Sequence, residues 1–147
     1  MSESQNTPKS TAKLMAERKA QCAQAIFATY GPLLSSGEID YDMCLKIASA
    51  FGGGINLTGN VCGALTGGLM ALGLKFGGSP LEHDMSEVST KLLEDFKTTH
   101  GSILCRELVD GVLDREKAME QSAQKDAVMQ CMKYVEDVAK LISEYVD

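Results

Sequence analysis

Residues 51–68, FGGGINLTGNVCGALTGG, place seven glycines and one cysteine in eighteen positions. Glycine costs roughly 1 kcal/mol relative to alanine inside a helix, so such a density needs a structural reason. The segments on either side read as amphipathic helices, so GGGINLTGN is expected to end one helix and connect it to the next. Gly59, Gly63, Gly67 and Ala71 are spaced by four, which makes the helical ones among them a bare stripe. A stripe of this kind lets a neighbouring helix, or a cofactor, come close to the backbone. Close helix packing is the plainer of the two readings.

The rest of the chain reads as a succession of helices. A first one is expected from residue 10 or 11 to 34, where Leu14, Ile26, Phe27 and Tyr30 recur at near-helical spacing. SSGEID is a loop with a cap, and a second helix over 41–51 carries Tyr41, Cys44, Ala48 and Phe51 on one face. Asn60 is expected to cap a third helix over 61–76. SPLE, 79–82, has the form of a capping box with Pro80 at the first helical position, opening a helix to Thr99 that Gly101 stops. Ser102 is expected to cap a short helix running to Leu108 or Val109 and broken near Asp110-Gly111. The last helix, 121–146, repeats Val128, Cys131, Val135, Val138, Ile142 and Tyr145 at spacings of three and four. No segment alternates like a strand. The predicted fold class is all-α, a single-domain multi-helix bundle with a glycine-rich loop and a helix N-terminus around Cys62. Residues 1–10, polar and containing Pro8, are expected to form a disordered tail, with the domain over 11–147.

A formal net charge of −6 argues against nucleic acid and against anionic membrane surfaces as partners. The longest nearly apolar run, VCGALTGGLMALGL, spans fourteen residues, too few to cross a bilayer. The first residues are polar and lack an apolar signal core, so a soluble, cytoplasmic protein without membrane insertion is expected. In a reducing compartment the five cysteines, Cys22, Cys44, Cys62, Cys105 and Cys131, are not expected to form permanent structural disulfides. An odd number also leaves at least one unpaired in a single chain.

The glycines match no P-loop, no dinucleotide fingerprint after a strand, and no G-x-S-x-G elbow. Cys62 carries more information. With Asn60 as cap it falls in the first helical turn, where free N–H groups and the helix dipole favour an anion and lower a thiol's pKa. Cys105 stands three residues after the expected cap Ser102, beside Arg106. Cys44 lies on an apolar face and reads as core, and Cys22 and Cys131, taken alone, read as small buried hydrophobes. Met70, Met129 and Met132 read as core filler. His83 and His100 are the two histidines; His100, five residues before Cys105, is a candidate base or metal ligand, against the plainer reading as a helix C-cap.

QCAQAIFATYG, IASAFGGGINLTGNVCGALTGGLMALGLKFG, FKTTHGSILCREL and the late Cys131 together resemble the C_GCAxxG_C_C family, to which a redox role is ascribed. The resemblance runs from about Gln21 to beyond Cys131, with Cys62-Gly63-Ala64-Leu65-Thr66-Gly67 standing for the family's CGAxxG motif. It implies a helical domain in which Cys22, Cys62, Cys105 and Cys131 are the family's four cysteines and Cys44 is an extra one. It also implies a redox partner, associated with a transport system because relatives are often encoded near transport genes. Some relatives carry haem, but the chain has no C-x-x-C-H attachment motif, so haem is not carried over.

Three functions follow as expectations. The first is thiol–disulfide chemistry, in which Cys62 attacks and one of Cys22, Cys105 and Cys131 resolves the intermediate. The second is a zinc or iron–sulfur site with Cys22, Cys62, Cys105 and Cys131 as ligands, which lacks the paired C-x-x-C spacing usual for such sites. The third is a non-catalytic helical module that docks a partner. In the first two, Cys62 shares one site with at least one other cysteine, and Gly59, Gly63 and Gly67 are the positions where a cofactor could approach. A homo-oligomer is left open by the composition.

Overall fold

A computed structural model describes residues 7–109 and 121–147, the side chains of 121–127 excepted. Among the described residues the chain forms helices α1 (Pro8–Ala16), α2 (Cys22–Leu34), α3 (Tyr41–Ile47), α4 (Gly63–Phe76), α5 (Ser86–His100), α6 (Cys105–Leu108) and α7 (Gln121–Val146). An isolated antiparallel bridge, Val61 with Leu104, is the β pairing found there. The fold is all-α, as the spacing of apolar residues predicts. No described helix is long and apolar enough to cross a membrane.

Several boundaries differ from expectation, each for a local reason. The single helix expected from residue 10 or 11 to 34 is two helices. Pro8 opens α1 behind Thr7, whose hydroxyl accepts from the Ser10 amide at 3.1 Å. The chain then reverses at Arg18, which has a left-handed φ of 57°, and starts afresh at Gln21. Gln21 and Gln24 form a reciprocal capping box, each side chain accepting from the other's amide at 3.0 Å. The Gln21 amide nitrogen Nε2 also donates to the Ala48 carbonyl at 2.8 Å, fastening the start of α2 to the end of α3.

Asp40 caps α3 by accepting from the Met43 amide at 2.8 Å, and the helix ends at Ile47, short of the expected 51. Of its proposed inner face, Cys44 and Ala48 are buried, Phe51 is half-buried and Tyr41 is exposed. SPLE closes a turn rather than opening a helix: the Glu82 and His83 amides both donate to the Ser79 carbonyl, at 3.0 and 2.7 Å. α5 starts instead at Ser86, whose amide donates to the Asp84 carboxylate at 2.9 Å. Gly101 stops α5 with a left-handed φ of 87°, as predicted. The last helix keeps its expected limits, and the break expected at Asp110-Gly111 lies outside the described residues.

The core is built by α2 against α4 and α1 against α7, with Ile26, Leu65, Leu72, Leu92, Phe96, Val135, Val138 and Ile142 fully buried. The α2–α4 contact explains the glycine stripe. A Cβ at Gly67 would lie 2.6 Å from the Ala23 carbonyl oxygen, and one at Gly68 3.0 Å from Val138 Cγ1. Helix packing therefore accounts for Gly67. Met70 and Met132 are half-buried against the core as expected, whereas Met129 is exposed on α7.

Candidate functional site

The glycine-rich segment between α3 and α4 folds in a way that few sequences tolerate. Gly53, Gly54, Ile55, Asn56 and Leu57 form five consecutive residues with left-handed φ between 50° and 67°. Left-handed backbone costs a non-glycine residue roughly 1–2 kcal/mol, and a β-branched one such as Ile55 is a marked outlier. The turn closes on itself: the Leu57 amide donates to Gly52, Gly59 to Gly53 and Asn60 to Gly54, at 3.1, 3.1 and 2.9 Å. Thr58 adds its hydroxyl, 2.7 Å from the Gly54 carbonyl. Gly59, with φ 77°, therefore belongs to this loop and not to the helical stripe.

The loop delivers Cys62 to the start of α4 and meets the start of α6 on the way. The Cys62 amide donates to the Ile103 carbonyl and the Cys105 amide to the Asn60 carbonyl, both at 2.8 Å. The Arg106 amide donates to Gly59 at 3.2 Å. Asn60 is thus part of a bridge, with its side chain donating to the Thr58 hydroxyl at 2.7 Å, and the cap of α4 is Cys62 itself. Similarly, Cys105 is the first residue of α6 behind Leu104, while Ser102 accepts from the Leu104 amide at 3.0 Å.

Cys22, the first residue of α2, lies against the same place. A Cβ at Gly63 would fall on Cys22 Sγ, and one at Gly54 would come within 2.8 Å of Cys105 Cβ. The absence of side chains at these two positions is what lets the cysteines in. Cys131 on α7 completes the group: negative charge on Cys22, Cys62 and Cys105 each raises its pKa. Four thiols from α2, the α4 cap, α6 and α7 therefore occupy one electrostatic neighbourhood. Cys22, Cys62 and Cys105 are buried, Cys131 is half-buried, and all are free thiols. Cys44 stands apart in the core, with its sulfur against Gly31, and Asp40 is the charge that acts on it.

The expected lowering of the Cys62 pKa is not found. Burial pushes the thiol far up, charge on Cys22 and Cys105 adds to this, and the Ala64 and Leu65 amides at the start of α4 offset only part. A helix N-terminus lowers a thiol pKa where water still reaches the sulfur; at a closed helix junction desolvation wins. Burial also raises Cys22, opposed by backbone N–H groups of Gly53, Ala23, Cys22 itself and Gly63. Cys105 is pushed up to about 11, by burial and then by charge on Cys22.

His100 does not join the cysteines. It ends α5 with Nε2 2.7 Å from Asp137 Oδ2 on α7, and its ring lies against Phe96 and Tyr134. A cavity of about 190 Å³ opens beside this pair, lined by Phe96, Thr99, Lys140 and Leu141 as well. His83 borders a second cavity of about 270 Å³ next to Gly77 and Gly78. Among the described residues no three His, Cys, Asp or Glu side chains converge tightly enough to hold a metal ion. Gly63 and Gly67 are covered by Cys22 and Ala23 of α2, and the Gly59 carbonyl is occupied by the Arg106 amide.

Sequence reasoning gave Cys22 no local signal beyond its family position. The Q-x-x-Q pair around it, Gln21 and Gln24, was the available one, since a glutamine capping box places Cys22 at a helix start. Residues 20–145 match the family described as "Putative redox-active protein (C_GCAxxG_C_C)". No curated protein and no solved structure matches the chain.

Proposed function

The chain belongs to the C_GCAxxG_C_C family, and on that footing we propose that it carries out dithiol–disulfide exchange, with Cys22 and Cys62 as the pair that closes. The observation that carries this reading is the seat of Cys22 Sγ on the bare Cα of Gly63, the residue after Cys62. That contact brings the N-terminal ends of α2 and α4 together at their cysteines, and charge on Cys22 is the largest electrostatic influence on Cys62.

The reaction partner is a disulfide, R–S–S–R. The Cys22 and Cys62 thiols lose two electrons and two protons and become one disulfide; the partner accepts both and leaves as two thiols, R–SH. Cys105 and Cys131 flank the pair and tune it, because each thiolate formed in the group makes the next harder to form. Cys44, buried against Gly31, takes no part.

The pair belongs on the reducing side of the thiol–disulfide scale. An oxidising dithiol owes its potential to a stabilised thiolate, whereas burial here disfavours the thiolate at both members of the pair. The experiment is an equilibrium titration of the full chain against reduced and oxidised dithiothreitol, with alkylation and mass counting of the remaining thiols. Two thiols are expected to disappear together, in one transition. Alkylation of all five throughout the titration would contradict the reading.

A further inference from the structure

Within the exchange reading, on which this inference rests, the pair is shut away from its partner. Cys22 is 6% exposed, Cys62 5% and Cys105 3%. Exchange requires contact between an attacking sulfur and the disulfide, so part of the protein must move before R–S–S–R can reach these thiols. The packing around them points to the part that moves.

Residues 51–54 cross the junction from α2 to α6. Gly52 lies on the Gln21 side chain, where an added Cβ would be 3.0 Å from Cγ. The Phe51 carbonyl oxygen is 3.1 Å from a Cβ placed on Gly63, the same Cβ that would fall on Cys22 Sγ. A Cβ on Gly54 would stand 2.8 Å from Cys105 Cβ. Glycines thus let the backbone lie directly on Cys22 and Cys105. The left-handed turn then carries the chain out to solvent at Ile55 and Asn56 and back to the buried Gly59.

The backbone bonds of this turn are internal. The amides of Ile55, Asn56, Leu57 and Thr58 donate to the carbonyls of Phe51, Ala50, Gly52 and Ile55, at 3.3, 2.8, 3.1 and 3.0 Å. Backbone bonds to α6 enter only after it, from Arg106 to Gly59 and from Cys105 to Asn60. Within 53–58, Leu57 is the apolar side chain packed on the core, and it is half-buried. Against that small burial stand three consecutive non-glycine residues, Ile55, Asn56 and Leu57, with φ of 67°, 50° and 61°. Left-handed backbone at each of them opposes the closed turn. An element with little apolar burial and strained backbone lies at the low-stability end of a fold. The helices beneath are held independently, by Gly67 against Ala23 and by the fully buried Ile26, Leu65 and Leu72.

We propose that the left-handed turn, residues 53–58, is a gate. It lifts off Cys22 and Cys105 in a local opening that leaves the helices packed, and the partner disulfide enters through that opening. Gly52 and Gly53 on one side and Gly59, with φ 77°, on the other are the hinges. Closed, the turn shields the thiols, and the strain at Ile55 to Leu57 sets how often it opens.

The test is thiol labelling of the native full chain with iodoacetamide at pH 8, in rising sub-denaturing urea, read by peptide mapping. Each rate is divided by that of the same cysteine in the unfolded chain. Cys22 and Cys105 are expected to label through an opening nearly independent of urea, because a local opening exposes little surface. Cys44, 0% exposed and seated against Gly31, is expected to label with the full urea dependence of global unfolding. Without urea, Ile55→Gly is expected to slow labelling of Cys22 and Cys105 by about fivefold, because it relieves the closed turn. Ile142→Val, a core change on α7, is expected to leave those two rates unchanged while speeding Cys44 by about fivefold. Three results overturn the gate: labelling of Cys22 and Cys105 with the urea dependence of global unfolding measured by circular dichroism, labelling of both at the unfolded-chain rate, or an Ile55→Gly chain that labels as fast as the wild type. The exchange reading fails separately, when no two thiols disappear together in the dithiothreitol titration.

Discussion

Cys62 and Cys105 are held side by side by a reciprocal pair of backbone hydrogen bonds, the Cys62 amide to the Ile103 carbonyl and the Cys105 amide to the Asn60 carbonyl, each 2.8 Å long. A single β bridge, Val61 with Leu104, thus fixes the start of α4 beside the start of α6. Cys22 reaches the same spot from α2 because Gly63 leaves room for its sulfur. The glycines of residues 51–68 serve three tasks: a left-handed turn, a thiol seat and a close helix contact.

Glycine substitutions separate these tasks. Gly67→Ala would push a Cβ to 2.6 Å from the Ala23 carbonyl, so α2 and α4 must part; a loss of about 1–3 kcal/mol is expected. At Gly73 the nearest atom to an added Cβ is Met85 Sδ at 3.7 Å, so Gly73→Ala is expected to stabilise by roughly 0.5–1 kcal/mol. Urea unfolding of both variants checks the pair. Equal effects would refute the packing account.

The left-handed turn stores strain at non-glycine positions. Ile55 has φ 67° and is 42% exposed, so its side chain contributes little burial in return. Ile55→Gly is expected to raise stability by roughly 1 kcal/mol through relief of left-handed backbone. A thermal midpoint below that of the wild type would show that the turn is not strained there.

Much of this architecture was legible in the sequence. Gly101 stops α5 and the apolar repeat fixes the limits of α7 because both depend on local chemistry within one turn. The placement of Cys62 and Cys105 at helix starts followed from cap-like residues nearby, although Cys62 and Leu104, not Asn60 and Ser102, occupy the caps. What was not legible is non-local. One bridge between Val61 and Leu104 has no alternating signature, and the run of left-handed residues through Ile55 to Leu57 contradicts their intrinsic preference. The direction of the Cys62 pKa shift depends on burial and on charge at Cys22 and Cys105, which no spacing within α4 reports.

Alkaline pH should destabilise the fold through the buried thiols. Cys105, at about 11 in the folded chain, lies above the unfolded thiol value of about 8.5. The unfolded chain therefore gives up this proton first, so the contribution is full below about pH 8.5 and is lost as pH rises toward about 11. The slope is at most about 1.4 kcal/mol per pH unit for that group. Urea titrations at a series of alkaline pH values should show a shallower loss in Cys105→Ala than in the wild type, and equal losses would contradict the assignment.

Cys44 is expected to matter for packing alone. Its sulfur fills the space against Gly31, where an added Cβ would come within 2.6 Å of it. Cys44→Ala should cost roughly 1 kcal/mol and leave disulfide closure intact. Loss of closure in a folded Cys44→Ala chain would place Cys44 in the site after all.

The exchange account rests on which two sulfurs join. The most direct measurement is a non-reducing peptide map of the full chain after oxidation by a stoichiometric disulfide, with the thiols that remain free after oxidation alkylated under denaturing conditions before digestion. The account predicts one linked peptide pair containing Cys22 and Cys62, with Cys44 alkylated. A map in which Cys22 and Cys62 both remain free, or in which Cys44 is linked, would contradict it.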